Sequence, residues 1–219
     1  MNVEKVRQGV LEWCSENCDF ELPWRRARSP WLVLLAELLL RKTTTKQVAK
    51  VYEKAVEELS GPSAVASKGV RELEELLKPL GMEHKRARLF KRLAEYLLQK
   101  HGGSVPCSED ELLEIPGVGK YAASVVLLVA CNEPRPLLDT NTSRVLSRLA
   151  GLRHVGQDPY KDPVLLGLAW KLTPRNPEEA RLFWLGLLDL GRKVCKKRKP
   201  LCSECPLSSL CLARRQDRA

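Results

Sequence analysis

The amino-acid sequence predicts an all-α protein, and three observations lead to that prediction. Apolar residues recur at three- and four-residue intervals through most of the 219 residues, which is the spacing of one face of an α-helix. The sequence contains no long alternation of apolar and polar residues, the pattern that indicates a half-buried strand. Proline and glycine residues interrupt the apolar segments where helices are expected to begin and end.

The predicted helices follow from these signals in chain order. The first opens after Ser29, an N-cap residue followed by a proline at the first helical position, and covers 31–39. The second has apolar residues at helical spacing over 48–59 and ends before Gly61. Further helices are predicted at Gly69–Lys78, His84–Lys100, Ser108–Ile115, Lys120–Cys131, Thr140–Ala150, Pro163–Leu172 and Pro177–Arg192.

The composition is that of a basic, globular chain. Apolar residues make up 44%, enough to build a core, and 37 Lys and Arg against 27 Asp and Glu give a net charge of +10. The longest uncharged apolar run, 121–131, is about half of what a bilayer crossing needs, and no secretion signal is visible. We therefore expect an intracellular protein, and the scarcity of Asn, Gln and Met favours a heat-adapted source.

The excess positive charge is concentrated at the C-terminal end. Over residues 192–219, nine basic residues stand against Glu204 and Asp217, a net charge of +7. Such a segment attracts polyanions, because binding to phosphates releases condensed counterions. A solvated basic tail is the alternative. The nine basic residues are Arg192, Lys193, Lys196, Lys197, Arg198, Lys199, Arg214, Arg215 and Arg218.

Four of the eight cysteines lie close together near the C-terminus and predict a metal site. Their spacing is C-x6-C-x2-C-x5-C. Four thiolates from one short loop suit a tetrahedral zinc ion or a [4Fe–4S] cluster, and the spacing alone leaves both open. Disulfides are not expected in a chain without a secretion signal. The ligands would be Cys195, Cys202, Cys205 and Cys211.

The other four cysteines are scattered through the chain. Cys14 and Cys18 are four residues apart, but no second pair lies near them in sequence to complete a metal site. Buried, unreactive thiols are therefore predicted at these two positions and at Cys107 and Cys131.

The segment Pro116-Gly117-Val118-Gly119 lies between two predicted helices. Pro116 and Gly117 end the first helix, and Gly119 lets the backbone come close to a ligand. The amides at the start of the next helix, at Lys120, then point outward with the positive end of its dipole, which suits a phosphate. We predict a helix-hairpin-helix that binds a DNA backbone, with a plain tight turn as the alternative.

Two carboxylates are candidates for chemistry. Asp139 follows apolar residues and opens a predicted helix, so it is an N-cap, a catalytic carboxylate, or both. A carboxylate kept charged by the helix dipole can stabilise the oxocarbenium-like sugar that forms when a glycosidic bond breaks. Glu37 is the one charged residue of 31–40, and it either pairs with Arg41 four residues on or serves the reaction.

In chain order, the hairpin, Asp139 and the cysteine loop resemble the helix-hairpin-helix DNA glycosylases of the endonuclease III type. The resemblance covers nearly the whole chain, from Leu22 to Cys211. In that family this cysteine spacing holds a [4Fe–4S] cluster, which favours iron–sulfur over zinc. The resemblance implies two α-helical domains, 28–134 and 1–27 with 135–219, and an active site in the cleft between them.

Single positions indicate the subfamily. Bifunctional members carry a lyase lysine where this chain has Tyr121, and Lys120 is one step away, about a 100° turn on a helix. Without that amine no Schiff base to the sugar is expected. Tyr121 with Asp139, and the segment 37–44, are similar to the archaeal mismatch-specific thymine/uracil DNA glycosylases. Adenine-specific members usually have a small residue at the tyrosine position and a further C-terminal domain, which is not expected here.

The resemblance implies a monofunctional repair enzyme that flips a thymine or uracil mispaired with guanine and hydrolyses its bond to the sugar. The expected partner is double-stranded DNA with a mismatched or deaminated base, bound by a monomer in the cytoplasm or nucleoid of a prokaryote. An adenine-DNA glycosylase, a bifunctional glycosylase/lyase and a DNA-binding module that releases no base remain as alternatives. The catalytic residues would be Asp139, Tyr121 and Glu37. The DNA-binding residues would be Gly117, Val118, Gly119, Lys120, Arg41, Arg144 and Lys42, the last as a wedge that fills the emptied base stack.

Overall fold

The computed structural model describes residues 1–152 and 158–216, and the secondary structure of these residues is helical. None of them forms a β-strand, in agreement with the predicted all-α fold. None of the helices they form is both long and apolar enough to cross a membrane. The α-helices are α1 Val3–Asn17, α2 Pro30–Leu39, α3 Thr45–Glu58, α4 Pro62–Ser67, α5 Val70–Leu77, α6 Glu83–His101, α7 Glu109–Glu114, α8 Lys120–Ala130, α9 Thr140–Ala150, α10 Pro163–Leu172, α11 Pro177–Lys193 and α12 Leu212–Gln216. Short 3-10 helices lie at Pro23–Arg26, Lys78–Leu80 and Pro159–Lys161.

The chain packs as two compact units. The central unit is Phe20–Cys131, and the terminal unit combines Met1–Asp19 with Asn132–Ala219. The chain therefore leaves the terminal unit after α1 and returns to it before α9. The predicted assignment of domains, 28–134 against the two termini, stays a prediction, because a division by packing does not show that either part folds alone.

The central unit is built on the apolar helix α2, which packs against α8. Leu34, Leu35 and Leu39 are fully buried in it, and each buried leucine stabilises the fold by about 1.5–3 kcal/mol. The helix begins with Pro30 after Ser29, as predicted, but the Ser29 side chain makes no capping hydrogen bond. The fixed φ of proline, rather than a side-chain cap, therefore starts this helix.

The rest of the central unit packs around α6. Helices α4 and α5 lie against it, and its apolar face buries Phe90, Leu93 and Leu97 completely. The indole N–H of Trp31 donates to the Leu59 carbonyl at 2.7 Å and connects the start of α2 to the end of α3. The Trp31 hydrogen bond thus anchors the N-terminal end of α2.

The terminal unit is organised around α11, against which α1 and α9 pack. A Cβ atom added at Gly186 would lie 3.0 Å from the Cys14 Cβ and 3.1 Å from Val10, so α1 and α11 approach closely only because this residue is glycine. Trp184, two residues earlier in α11, is fully buried, and its indole N–H donates to the Thr173 hydroxyl at 3.1 Å.

Three of the observed helices are absent from the sequence-based prediction. In α1 the buried residues Val6, Val10 and Cys14 form one narrow stripe at four-residue spacing, among many charged residues. Helices α4 and α12 have only six and five residues, fewer than two turns, so a helical period cannot be recognised in them.

The prediction of four unreactive thiols outside the C-terminal loop is wrong. Cys14 is bonded to Cys18, and Cys107 to Cys131, with Cα–Cα distances of 4.8 and 5.8 Å. The second disulfide joins Cys107, which precedes α7, to Cys131 at the end of α8. These two residues are 24 positions apart in sequence. The prediction failed because tertiary packing decides which thiols meet, and the rule on reducing compartments says nothing about which thiols lie close together.

Candidate functional site

Asp139 is the N-cap of α9, and three N–H groups hold its carboxylate. Oδ1 accepts from the main-chain amides of Asn141 and Thr142 at 2.8 Å each, and Oδ2 accepts from the Asn141 side-chain amide at 2.8 Å. The Asp139 amide donates in turn to the Thr142 hydroxyl at 2.9 Å, which completes a capping box. A half-buried carboxylate is thus presented in one orientation at the positive end of a helix.

Asn141 and Arg144 connect Asp139 to the cysteine loop. The Asn141 side-chain oxygen accepts from Arg144 Nη2 at 2.9 Å, and Arg144 Nε donates to the Cys195 carbonyl at 2.7 Å. Arg144 Nη2 also donates to the Gly191 carbonyl at 2.7 Å. The guanidinium of Arg144 is therefore engaged inside the terminal unit, and its predicted contact with DNA stays a prediction.

The four C-terminal cysteines are free, half-buried thiols around one cavity of about 230 Å³. Burial raises the pKa of the Cys205 thiol to about 11. Arg148 lines the same cavity and donates from Nη1 to the Cys195 sulfur at 3.3 Å and to the Lys196 carbonyl at 2.8 Å. Arg214 donates to the Cys202 carbonyl at 3.0 Å.

An iron–sulfur cluster fits these thiols better than a single metal ion does. Among the residues that the structure describes, no three His, Cys, Asp or Glu side chains are grouped so that they could hold one metal ion. The thiols surround a cavity instead. A [4Fe–4S] cluster would take one thiolate on each of its four iron atoms, whereas a zinc ion requires all four sulfurs on one ion.

The predicted hairpin is formed by α7, the turn 115–119 and α8, and its two glycines have different roles. Gly117 has a φ of +86°, and a Cβ atom there would lie 2.6 Å from Leu89 Cδ1. Gly119 has an ordinary extended φ of −110°, and a Cβ atom there would meet nothing within 4 Å. The fold therefore requires glycine at 117 but not at 119, and a missing side chain at 119 leaves space for a ligand to approach the backbone.

The other predicted hairpin residues differ in their exposure to solvent. Val118 is buried and its amide donates to the Ile115 carbonyl at 2.9 Å, which closes the turn. Lys120 is exposed in the first turn of α8. Tyr121 follows it and is half-buried. Their roles in binding and catalysis stay predictions.

The last turn of α2 and the segment that follows it carry three more predicted site residues. Glu37 is half-buried in the last turn of α2, a helix that packs against the one bearing Tyr121. The guanidinium of Arg41 donates to the Gly117 carbonyl, so this segment contacts the hairpin within the central unit. Lys42 is exposed and has a φ of +49°, a left-handed conformation that is uncommon for a residue other than glycine.

The basic C-terminal segment divides into an anchored and an exposed part. Arg192 and Lys193 both pair with Asp19, which ties the end of α11 to the segment after α1. Residues 196–199 are four consecutive basic residues, and all are exposed. Asp217, Arg218 and the side chain of Arg215 lie outside the described residues.

Arg86 and Met82 are absent from the predicted site residues. The structure shows that Arg86 is a buried cation and that Met82 has a left-handed main-chain conformation. Arg86 is 5% exposed, and the face of α6 that it shares with Phe90 was its one signal in the sequence. Met82 is 43% exposed and has a φ of +55°. Methionine is not a residue type that favours a positive φ, so the sequence gives no indication of this conformation.

Two family models match the chain. Residues 35–161 match the HhH-GPD superfamily base excision DNA repair protein, and residues 195–211 match the iron-sulfur binding domain of endonuclease III. The second match begins at Cys195 and ends at Cys211, the first and last of the predicted ligands. The predicted iron–sulfur cofactor is thus confirmed, and zinc is not.

The chain is also similar to named archaeal proteins over nearly its whole length. It is 45% identical over 210 residues to the thymine-DNA glycosylase of Aeropyrum pernix, which covers 96% of this chain and 94% of that relative. It is 46% identical over 205 residues to the thymine/uracil-DNA glycosylase of Pyrobaculum aerophilum, with coverages of 94% and 89%. The solved structure of a thermostable thymine-DNA glycosylase superposes with a TM-score of 0.89 at 30% identity, over 97% of this chain and 98% of that one.

Proposed function

Because this chain belongs to the HhH-GPD superfamily of base excision DNA repair proteins, we propose that it removes thymine or uracil mispaired with guanine and leaves an abasic site. It is a DNA glycosylase with a [4Fe–4S] cofactor. Relatives that are named for thymine and uracil support this choice of base, and the adenine-specific and endonuclease III relatives are more distant. The guanine partner and the roles of the residues below are our proposal.

The observation that carries the proposal is the orientation of the Asp139 carboxylate, which three N–H groups hold. Breaking the bond between C1′ and the base nitrogen leaves positive charge on the sugar. A carboxylate already held in place stabilises that charge without reorganising, which is the basis of electrostatic catalysis. Water then bonds to C1′ through its oxygen, and its proton passes to the departing base.

The identity of residue 121 supports a hydrolytic outcome. Strand cleavage by a lyase requires an amine that forms a Schiff base with the sugar. Tyr121 stands where bifunctional members carry that amine, and Lys120 is displaced from it by one residue. Tyr121 would line the site beside the flipped base, and Glu37 would orient water or contact the base.

The exposed cations and the hairpin support binding to a distorted duplex. A mismatched base costs less to extrude than a paired one, which provides part of the selectivity. Lys42 would take the place of the extruded base in the stack. The amides beside Gly117 and Gly119 would hold one phosphate, and residues 196–199 would contact another stretch of backbone. These contacts read the backbone and the distortion rather than the base sequence.

The cysteine loop would contribute structure and DNA docking. When bound, the cluster cross-links Cys195, Cys202, Cys205 and Cys211 and requires no electron transfer in the reaction proposed here. Arg148 holds the adjacent loop by hydrogen bonds to the Lys196 carbonyl at 2.8 Å, next to the exposed lysines. We propose that the protein acts as a monomer on chromosomal DNA inside the cell.

The test uses purified protein and labelled duplexes that contain T:G, U:G, A:G or adenine opposite oxidised guanine. Each reaction is quenched with and without alkali, because an abasic site breaks only after alkaline treatment. Cleavage of T:G and U:G that depends on alkali is the expected result. Release of adenine would place the protein in the adenine class instead, and nicking without alkali, with covalent trapping by borohydride, would reveal lyase activity.

A further inference from the structure

Arg86 lies inside the central unit, where its guanidinium bonds to main-chain carbonyls. The side chain is 5% exposed. Nε donates to the Gly81 carbonyl at 2.9 Å. Nη1 donates to the carbonyl of Leu38 at 2.9 Å and lies 3.5 Å from that of Leu39, while Nη2 donates to the carbonyl of Arg41. One residue thus joins the start of α6 to the end of α2.

Burying the charged guanidinium of Arg86 carries a desolvation penalty that a neutral capping group would not carry. The last carbonyls of a helix have no intrahelical partners, and a cation near them is favourable. Burial nevertheless lowers the pKa of Arg86, with a smaller contribution from the charge of Arg41, so the buried cation carries a desolvation penalty. A side chain that only capped α2 would not need a planar fork that reaches two separate turns at once.

The two turns that Arg86 holds share an unusual feature. Arg41 directly precedes Lys42, and Gly81 directly precedes Met82. Lys42 and Met82 both adopt left-handed φ values, +49° and +55°, and both are exposed. Such conformations are unfavourable for residues other than glycine and persist where the surrounding structure determines them. Arg86 binds the carbonyl immediately before each of these residues.

The turn at Lys42 is also linked to the DNA-binding hairpin. The guanidinium of Arg41 donates to the Gly117 carbonyl, while its own carbonyl accepts from Arg86. A hydrogen-bonded path therefore runs from the buried Arg86 through Arg41 to the hairpin turn. The residue directly before Lys42 is therefore held both by Arg86 and by the hairpin turn.

We propose that Arg86 is a positioning residue for base extrusion: it holds the Lys42 turn in the conformation from which the lysine side chain replaces the flipped base in the stack. The inference rests on the proposed function, in which Lys42 has that role. Arg86 itself touches neither the base nor the sugar. Its effect is on how often the extruded state forms, and not on the chemical step that follows.

The test compares Arg86→Lys with a matched control, Arg7→Lys. The lysine at 86 keeps the charge but cannot reach both turns. Arg7 also caps a helix end, because it donates to the carbonyls of Leu172, Lys171 and Thr173 at 3.0, 3.1 and 2.9 Å, but it belongs to the terminal unit, whereas Lys42 belongs to the central unit. Arg86→Gln serves as a second, shorter substitution at the same position. All assays are run at a temperature at which circular dichroism shows every variant to be folded.

Base extrusion is followed by the fluorescence of 2-aminopurine placed next to the mismatched base, and excision by single-turnover rates. In Arg86→Lys we expect the fluorescence rise to shrink and the excision rate to fall about tenfold or more. Binding to an undamaged duplex should stay within about twofold, since the phosphate contacts remain. Arg7→Lys should excise at the wild-type rate.

A double-mutant cycle with Lys42→Ala decides whether Arg86 acts through the lysine. If it does, the excision rate of the double variant equals that of Lys42→Ala alone, because the energies of coupled residues do not add. Multiplicative losses, or a wild-type excision rate in both Arg86 variants, would overturn the proposal. A wild-type protein that releases neither thymine nor uracil would instead remove the proposed function, so the two failures are distinguishable.

Discussion

Replacing Asp139 by Asn separates the two roles that this residue combines. The carboxylate caps α9 and, in the proposed mechanism, stabilises the sugar cation. Asparagine is as good an N-cap as aspartate, so Asp139→Asn removes the charge and keeps a cap. The same unit offers a matched control in Asp162, the N-cap of α10, whose carboxylate accepts from the amides of Val164 and Leu165 at 3.0 Å each.

The expected loss of activity follows from the charge. A carboxylate about 4 Å from a sugar cation, at an effective dielectric constant near 20, contributes about 4 kcal/mol. A loss of that size slows the chemical step by about 10³-fold. The free energy of unfolding should change by only about 0.5 kcal/mol or less, because Asn141 and Thr142 can donate their main-chain amides to an asparagine oxygen as well.

The assay is single-turnover release of uracil from a U:G duplex, read after alkali, beside thermal unfolding of the same preparations. Asp139→Asn should bind the duplex as the wild type does and release almost no base. Asp162→Asn should match the wild type in both measurements. Alanine at either position should cost about 1 kcal/mol of stability, because both substitutions remove a cap.

Two results would refute this reasoning. Asp139→Asn with full excision activity would mean that the carboxylate only caps the helix. Equal losses of activity in Asp139→Asn and Asp162→Asn would mean that helix capping in the terminal unit, rather than charge at one position, controls the reaction.

Three further predictions concern the cofactor, the disulfide and the hairpin. Cys202→Ser should weaken the broad visible absorbance of the cluster and reduce DNA binding; an unchanged absorption spectrum would contradict the ligand assignment. Cys107→Ser with Cys131→Ser should lower the free energy of unfolding by about 3 kcal/mol, measured by denaturant unfolding, because that disulfide closes a loop of 24 residues; equal stability with and without reductant in the wild type would contradict it. Gly119→Ala should weaken DNA binding without lowering the midpoint of thermal unfolding, because an added Cβ meets open space there. Gly117→Ala should lower that midpoint, because an added Cβ would lie 2.6 Å from the Leu89 side chain. The reverse pattern would show that phosphate approach does not depend on Gly119.

Local sequence signals predicted the features that depend on neighbouring residues. The N-cap role of Asp139 could be read from a carboxylate between an apolar run and a helix, and the structure shows that cap. The turn at Gly117 could be read in the same way, and its positive φ agrees. A capping bond or a tight turn closes within a few residues, so the chemistry that forms it is visible in a short segment.

The disulfide pairing and the contacts of Arg86 could not be predicted from local sequence signals. Cys107 and Cys131 approach each other only after α7 and α8 have folded back on one another. Arg86 contacts Leu38 across a separation of 48 residues. Neither pairing has a periodic or compositional signature in the sequence. Each depends on how the helices pack, and no single segment of the sequence specifies that packing.

The amino-acid sequence by itself determined the all-α class, most helix positions, the metal-binding cysteines and the family to which the chain belongs. These depend on residue type, spacing and local hydrogen bonds, which are all present in the linear chain. The tertiary structure alone decided which thiols pair, that Gly117 is confined by Leu89 while Gly119 is open, and that one buried arginine holds the turns of both Lys42 and Met82. Those facts depend on atoms that are distant in sequence and meet only when burial of the apolar helix faces brings them together.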